Sequence, residues 1–197
     1  MATRASHILL VLSAFFAGLV VFLAVFLYAT GQFGGSASSA VGGPFKLTDQ
    51  NGKVITDADL KGKPFLVFFG YTHCPDVCPT TLFDLSEVMR AMGRDANRTA
   101  GLFISVDPDR DTPAILKDYL SSFDPHLRGA TGDQAELNKV EKEYRVYAKK
   151  VPTGKDGDYS MDHSAIVYLM DKSGRFVAPF RLDRKPQESA AELRKYL

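Results

Sequence analysis

The two cysteines of the chain, Cys74 and Cys78, are the side chains best suited to chemistry. They follow an apolar run that ends at Gly70, and helical spacing begins after Pro79. A thiol pair between a strand and a helix can form a reversible disulfide, bind a soft metal ion, or do each in turn. The Cys-x-x-x-Cys spacing is one residue wider than the Cys-x-x-Cys of dithiol oxidoreductases, which favours a metal held between the sulfurs.

The helix after the cysteines influences what they can bind. Pro79 suits the first helical position, so we expect Cys78 at the N-cap, where the helix dipole lowers the pKa of a thiol. Thiolates prefer Cu(I), zinc or iron–sulfur clusters. A cluster needs about four cysteines, and structural zinc usually takes four ligands in two pairs. Because the chain has one pair only, copper is favoured, as Cu(I) or, with an added oxygen ligand, as Cu(II).

A third ligand can come from one of four histidines. His163 stands immediately before a predicted strand, at the end of a polar segment that we predict to be a loop, residues 149–162. The strands and helices of the chain alternate in an order that predicts a thioredoxin-like fold, in which this position faces the cysteines. We therefore predict that Cys74, Cys78 and His163 form the metal site. The remaining histidines are poorer candidates: His7, which precedes an apolar segment, His73, on the opposite face from Cys74, and His126, in an ordinary loop.

Two further patterns are weaker candidates for metal sites. Asp107-Pro-Asp-Arg-Asp111 resembles the start of a calcium loop, but its sixth position is Thr112 instead of Gly, and Pro113 opens a helix inside it. A strand-end turn followed by a helix cap is the simpler interpretation. Met161 could offer a thioether to copper, although a methionine beside an apolar strand usually serves packing.

The elements that must position these residues alternate between strands and helices. The predicted strands are 45–48, 53–56, 65–69, 101–106, 128–131, 146–148, 164–170 and 175–180, and the predicted helices are 79–92, 113–122, 133–144 and 186–197. This order predicts an α/β, thioredoxin-like domain with a mixed central sheet.

An uncharged apolar segment, Ile8–Ala29, lies near the start of the chain. Its 22 residues would form a helix of about 33 Å, enough to cross a bilayer core. We therefore predict an uncleaved anchor at 1–29, a flexible linker at 30–43 and a copper-binding domain at 44–197. Cleavage near Ala40 is the alternative. Because Arg4 precedes the span, the N-terminus is expected in the cytoplasm and the domain on the periplasmic face of the inner membrane.

The charge balance argues against one class of partner. The chain has 24 Lys and Arg residues against 23 Asp and Glu residues, and it has no long basic run. Nucleic acid is therefore not an expected partner.

Three segments together resemble the signatures of the Sco/SenC family: Gly70-Tyr-Thr-His-Cys-Pro-Asp-Val-Cys-Pro-Thr80, Ser105-Val-Asp-Pro-Asp-Arg-Asp-Thr-Pro113 and Asp162-His-Ser164. Members of this family are membrane-anchored copper proteins that assist the assembly of cytochrome c oxidase. The resemblance implies a thioredoxin-like domain that binds one copper ion through Cys74, Cys78 and His163. It also implies the copper-bearing oxidase subunit as a partner, together with a copper donor and a thiol reductant.

Two functions remain open from the sequence. One is a copper-binding assembly factor that delivers copper to the dinuclear site of cytochrome c oxidase or prepares that site. The other is an enzyme, a thiol–disulfide oxidoreductase or peroxidase that uses Cys74 and Cys78 without metal. A structural disulfide is a weak third account, because so small a loop stabilises little.

Overall fold

The structure is a computed structural model that describes residues 2–29, 41–154 and 157–197, with side chains described from residue 12 to 26 in the first range. The chain divides into two compact units, Met1–Ser38 and Ser39–Leu197. Most of the predicted linker at 30–43 lies outside the described residues, so the predicted domain boundaries stay a prediction.

The first unit contains one helix, α1, over Ala2–Ala29. In the described parts of the chain, no helix is both long enough and apolar enough to cross a membrane. The membrane span predicted at 8–29 is not supported by this finding.

The second unit contains nine strands and four α-helices among its described residues. In chain order these are β1 Lys46–Asp49, β2 Val54–Thr56, β3 Phe65–Gly70, α2 Val77–Met92, β4 Ala100–Ser105, α3 Pro113–Leu120, β5 Leu127–Thr131, α4 Gln134–Tyr144, β6 Ala148–Pro152, β7 Tyr159–His163, β8 Val167–Met170, β9 Phe176–Pro179 and α5 Pro186–Arg194. Two short 3-10 helices, Asp57–Leu60 and Gly93–Arg98, complete the set.

Seven of these strands form one sheet in the order β2-β1-β5-β4-β3-β8-β9. β3 pairs in parallel with β4, and β4 pairs in parallel with β5, whereas the remaining pairs of this sheet are antiparallel. The predicted α/β architecture with a mixed central sheet is confirmed.

The core lies around the two central strands. Every residue of β3 and β4 is buried, which explains why the sequence of β3 is an unbroken apolar run instead of an alternating one. The helix after the cysteines buries the apolar face that its spacing predicts: Leu82, Leu85, Val88, Met89 and Met92. Burial of each such side chain contributes about 1.5–3 kcal/mol, so β3 and the start of α2 form a firm base for the cysteines.

Local signals at two helix starts act as the sequence predicts. The Thr112 hydroxyl accepts a hydrogen bond from the Ile115 amide, and Pro113 is the first residue of α3. Asp133 and Glu136 form a capping box at the start of α4. The short hairpin of β1 and β2 is also confirmed, with Gly52 in the turn at a φ of 77°.

The polar segment 149–162 is wrongly predicted as a loop. It contributes most of β6 and β7, which pair as a separate antiparallel hairpin in a register that sets Ala148 opposite His163. The side chains of β6 and β7 are exposed or half-buried, and β6 (Ala-Lys-Lys-Val-Pro) lacks the alternation of apolar and polar residues that marks a strand. The hairpin is formed by backbone pairing between β6 and β7, and the pattern of side chains in the sequence does not reveal that pairing.

Candidate metal centre

The cysteines lie at the junction of β3 and α2, as predicted, but the helix starts earlier than expected. Asp76 is the N-cap, and Cys78 is the second helical residue. Both thiols are free, with Cys78 fully buried and Cys74 half-buried. The prediction of Cys78 as the N-cap is therefore wrong, because proline is tolerated beyond the first position of the opening turn.

The first turn of α2 interacts with the sulfur of Cys74, which precedes the helix, more directly than with the sulfur of Cys78, which belongs to it. The backbone N–H of Cys78, one of the amides that a helix start leaves without an internal partner, donates to Cys74 Sγ over 3.4 Å. Burial raises the pKa of the Cys78 thiol, and the neighbouring Cys74 raises it further. The expected stabilisation of a Cys78 thiolate by the helix dipole is therefore wrong for the metal-free protein, because desolvation outweighs it.

His163 is the last residue of β7 and faces the buried cysteine. Its Nε2 lies 3.6 Å from Cys78 Sγ, and its Nδ1 lies 3.2 Å from the carbonyl oxygen of Ser164. A carbonyl can only accept a hydrogen bond, so Nδ1 carries the proton and Nε2 presents its lone pair to the sulfur. The ring stands edge-on to Tyr71 and Phe68, with centroids 5.8 and 6.5 Å away.

The protonation state of His163 suits metal binding. Burial lowers the pKa of this imidazole, although the Ser164 carbonyl and Asp162 act in the opposite direction. A neutral ring is the form that ligates metals. His163 can therefore act as a ligand at neutral pH without first losing a proton.

One ligand atom from each of Cys74, Cys78 and His163 lies within 4.8 Å of the others. Two ligand atoms bonded to one ion at about 2.0–2.3 Å are at most about 4.6 Å apart, so small shifts would bring all three onto one metal. Among the described residues, no second group of three or more His, Cys, Asp or Glu side chains has such geometry. Two sulfurs and one imidazole form a donor set for a soft ion such as Cu(I).

The other candidates lie apart from this group. His73 is half exposed, with Nδ1 3.1 Å from the hydroxyl of Thr72. His126 lies between Asp124 and Asn97, and Met161 packs against the core. His7 falls outside the residues whose side chains are described.

The suspected calcium loop has a different role, which sequence reasoning missed. Asp111 is fully buried, and its carboxylate accepts hydrogen bonds from the hydroxyls of Thr72 and Ser105, each over 2.6 Å, and from the Thr72 amide over 3.0 Å. It thereby ties the loop that leads to Cys74 onto the end of β4. The signal that could have identified this role is the position of Asp111 shortly after a buried strand.

Solved structures with the same fold contain copper. The structure of Bradyrhizobium japonicum ScoI with copper bound has 69% sequence identity, covers 80% of this chain and 99% of that chain, and has a TM-score of 0.78. The crystal structure of yeast Sco1 with copper bound has 38% identity, covers 79% of this chain and 87% of that chain, and has a TM-score of 0.72. These similarities confirm the predicted thioredoxin-like fold with a mixed sheet.

The sequence comparisons agree with the structural ones. A SCO2-like protein of Rickettsia felis is 39% identical over 150 residues, which cover 75% of this chain and 73% of the relative. The human mitochondrial SCO1 homolog is 40% identical over 157 residues, 78% of this chain and 52% of that protein. The SCO1/SenC family model matches residues 34–197. This chain belongs to the SCO1/SenC family.

Proposed function

We propose that this protein binds one copper ion through Cys74, Cys78 and His163, and that it delivers copper to, or prepares, the dinuclear copper site of cytochrome c oxidase. The observation that carries the proposal is the convergence of two thiols and a neutral imidazole within 4.8 Å. The 69% identity to a ScoI protein with copper bound supports copper as the ion. The oxidase as acceptor follows from the family resemblance.

Each ligand contributes differently to the uptake of copper. Cys74 is the more exposed thiol, so an incoming ion meets it first. Cys78 is buried and protonated, so it must release its proton before its sulfur binds. His163 offers Nε2 at once and completes a three-coordinate site suited to Cu(I). An added oxygen ligand would allow the same site to hold Cu(II).

The test is metal analysis of the purified full-length protein, with absorption and EPR spectra in the presence and absence of reductant. The wild type should retain one copper ion and show a thiolate-to-Cu(II) charge-transfer band. Cys74→Ser, Cys78→Ser and His163→Ala should each lose the ion. His73→Ala is the matched control, since it removes a histidine next to Cys74 and should keep the ion. Full copper retention by His163→Ala would refute the ligand set.

A second candidate function is thiol–disulfide exchange on a protein target. Two free thiols lie side by side, and Cys74 is accessible enough to attack a disulfide. On this account His163→Ala should spare turnover of a disulfide or peroxide, whereas either cysteine variant should abolish it. In a strain that lacks the gene, rescue by added copper would favour delivery, and rescue by a reductant would favour exchange.

We also propose that the segment 8–29 anchors the protein in the inner membrane, with the N-terminus cytoplasmic and the domain on the periplasmic side. The support is the absence of charge over 22 residues, together with the exposed apolar side chains of residues 12–26. Alkaline carbonate extraction should leave the protein in the membrane pellet, and protease added to spheroplasts should digest the domain. Recovery of the intact protein in the supernatant would contradict this anchor.

A further inference from the structure

The hairpin of β6 and β7 carries His163, yet it has few apolar contacts to hold it. It forms its own two-stranded sheet, and its side chains are exposed or half-buried. A weakly packed segment of this kind opens easily unless specific contacts fasten it. A histidine ligand needs a defined position, so the contacts that fasten the hairpin bear on the metal centre.

Three residues supply such a fastening, and each of them contacts the other two. The Tyr159 hydroxyl donates to Asp107 Oδ1 over 2.7 Å, and Arg110 Nε donates to Asp107 Oδ2. Arg110 Nη1 donates to the backbone oxygen of Tyr159 over 3.0 Å, while its guanidinium carbon lies 3.7 Å from the centroid of the Tyr159 ring. We call this group of Asp107, Arg110 and Tyr159 the clasp.

The clasp joins a buried residue of the core to a residue of the hairpin. Asp107 is fully buried and lies two residues after the end of β4. Its backbone N–H donates to the Ser105 hydroxyl over 3.0 Å. Tyr159 is the first residue of β7, on the hairpin. Arg110 therefore links the core to the hairpin through both a charge-assisted hydrogen bond and a cation–π contact.

The path from the clasp to the imidazole is short. Side chains two residues apart in a strand share a face, so Tyr159, Met161 and His163 point to the same side of β7. Tyr71 supports this face, because its hydroxyl interacts with the backbone of Met161 and its ring lies edge-on to His163. The Arg110 guanidinium carbon also lies 5.7 Å from the centroid of the Tyr71 ring.

We propose that Asp107, Arg110 and Tyr159 are positioning residues for His163, which fasten the hairpin so that Nε2 faces Cys78 Sγ. When the clasp opens, His163 withdraws and the ion is left on two sulfurs. The clasp therefore sets how tightly the protein holds copper. This inference rests on the proposed function, in which His163 is a copper ligand.

The test uses two variants of Tyr159 in the full-length protein. Tyr159→Phe removes only the hydrogen bond to Asp107, and Tyr159→Leu also removes the ring beneath Arg110. Changes to the direct partners of a metal-ligating histidine typically cost about 10–100-fold in affinity. Tyr159 acts on His163 through the strand, so the affinity for copper, measured by competition with a chelator, should fall by about tenfold, the low end of that range, in Tyr159→Leu and by less in Tyr159→Phe. Both variants remove one hydrogen bond from the buried Asp107 carboxylate, so the melting temperature of the metal-free protein should fall by a few degrees in each while the fold is kept.

A second readout needs no metal. In the metal-free protein, hydrogen exchange at the amides of 161–164 should be faster in Tyr159→Leu than in the wild type. Tyr147→Phe is the matched control, because the Tyr147 ring is exposed at the base of the same hairpin and its hydroxyl makes no hydrogen bond within the described residues. It should change neither copper affinity nor exchange.

The outcomes separate this inference from the proposed function. Tight copper binding by the wild type together with unchanged affinity or unchanged exchange in Tyr159→Leu overturns the clasp alone. Copper retention by His163→Ala overturns the ligand assignment and the positioning role with it. Weaker copper binding and faster exchange in Tyr159→Leu, with Tyr147→Phe unchanged, support the clasp.

Discussion

Gly70, the last residue of β3, is a position where one added methyl group would disturb the metal centre. A Cβ atom there would lie 2.7 Å from Phe103 Cε2 and 2.8 Å from Cys78 Sγ, both closer than carbon and sulfur atoms pack. Phe103 is 1% exposed and Cys78 is 0% exposed, so neither can turn into solvent. Gly70→Ala must therefore displace the sulfur, the ring or the strand.

The expected size of this effect follows from the packing. Extra methyl groups in a filled core cost about 1–3 kcal/mol, which lowers the melting temperature of a chain of this length by about 2–12 °C. Displacement of the Cys78 sulfur should also weaken copper binding by about tenfold or more, in the range found for changes next to metal ligands. Thermal unfolding followed by circular dichroism measures the first effect on the metal-free protein, and chelator competition measures the second.

Gly129→Ala in β5 is the matched control. Its Cβ would lie 2.6 Å from Leu120 Cδ1, the end of a flexible side chain that contributes no ligand. This variant should lose some stability and keep the copper affinity of the wild type. If Gly70→Ala were to bind copper as tightly as Gly129→Ala does, the reasoning that places the sulfur against this strand would be wrong.

Three further predictions concern titratable groups. In the metal-free, reduced protein at pH 8, iodoacetamide should label Cys74 before Cys78, because burial raises the pKa of Cys78 and hides its sulfur; peptide mapping that finds Cys78 labelled first would contradict this. Because the Cys78 thiol must lose its proton to bind copper, the affinity for copper should rise by at least about tenfold per pH unit between pH 6 and 8, and more where Cys74 also releases a proton; a flat profile in chelator competition would count against Cys78 as a ligand. Burial raises the pKa of Glu141 to about 7 from its ordinary value of 4.5, so the stability that its protonated form contributes is fully present below pH 4.5 and is lost as the pH rises through about 7. Glu141→Gln should therefore unfold at a higher temperature than the wild type at pH 8 and at a similar temperature at pH 4; equal melting temperatures at pH 8 would refute it.

The features that the sequence predicted well have local causes. The run from Phe65 to Phe69 predicts a central strand because burial on both faces demands unbroken apolar residues. Thr112 and Asp133 predict helix starts because their side chains satisfy amides only three residues away. The cysteine pair is similarly local, since both thiols lie on one loop and its adjoining helix.

The features that the sequence did not predict depend on distant contacts. Strand β6 has no apolar alternation, and Arg110, which donates a hydrogen bond to the backbone oxygen of Tyr159 in β7, lies 49 positions from it along the chain. The sequence predicts a lowered pKa for the Cys78 thiol, because the helix start beside it is a local feature. Its burial comes from the tertiary packing of the core, and desolvation then outweighs the dipole.

The three proposed ligands lie in parts of the fold that differ in how well they are packed. The cysteines stand on β3 and α2, where the core fixes them, whereas His163 stands on a hairpin outside the main sheet. A site built only on the core would hold copper well and release it slowly, since release would require the core to move. With His163 as a ligand on a separate hairpin, we expect the site to pass from three donors to two without unfolding of the core. On the proposed function, a partner that disturbs the hairpin could then accept the ion from Cys74, the more exposed sulfur.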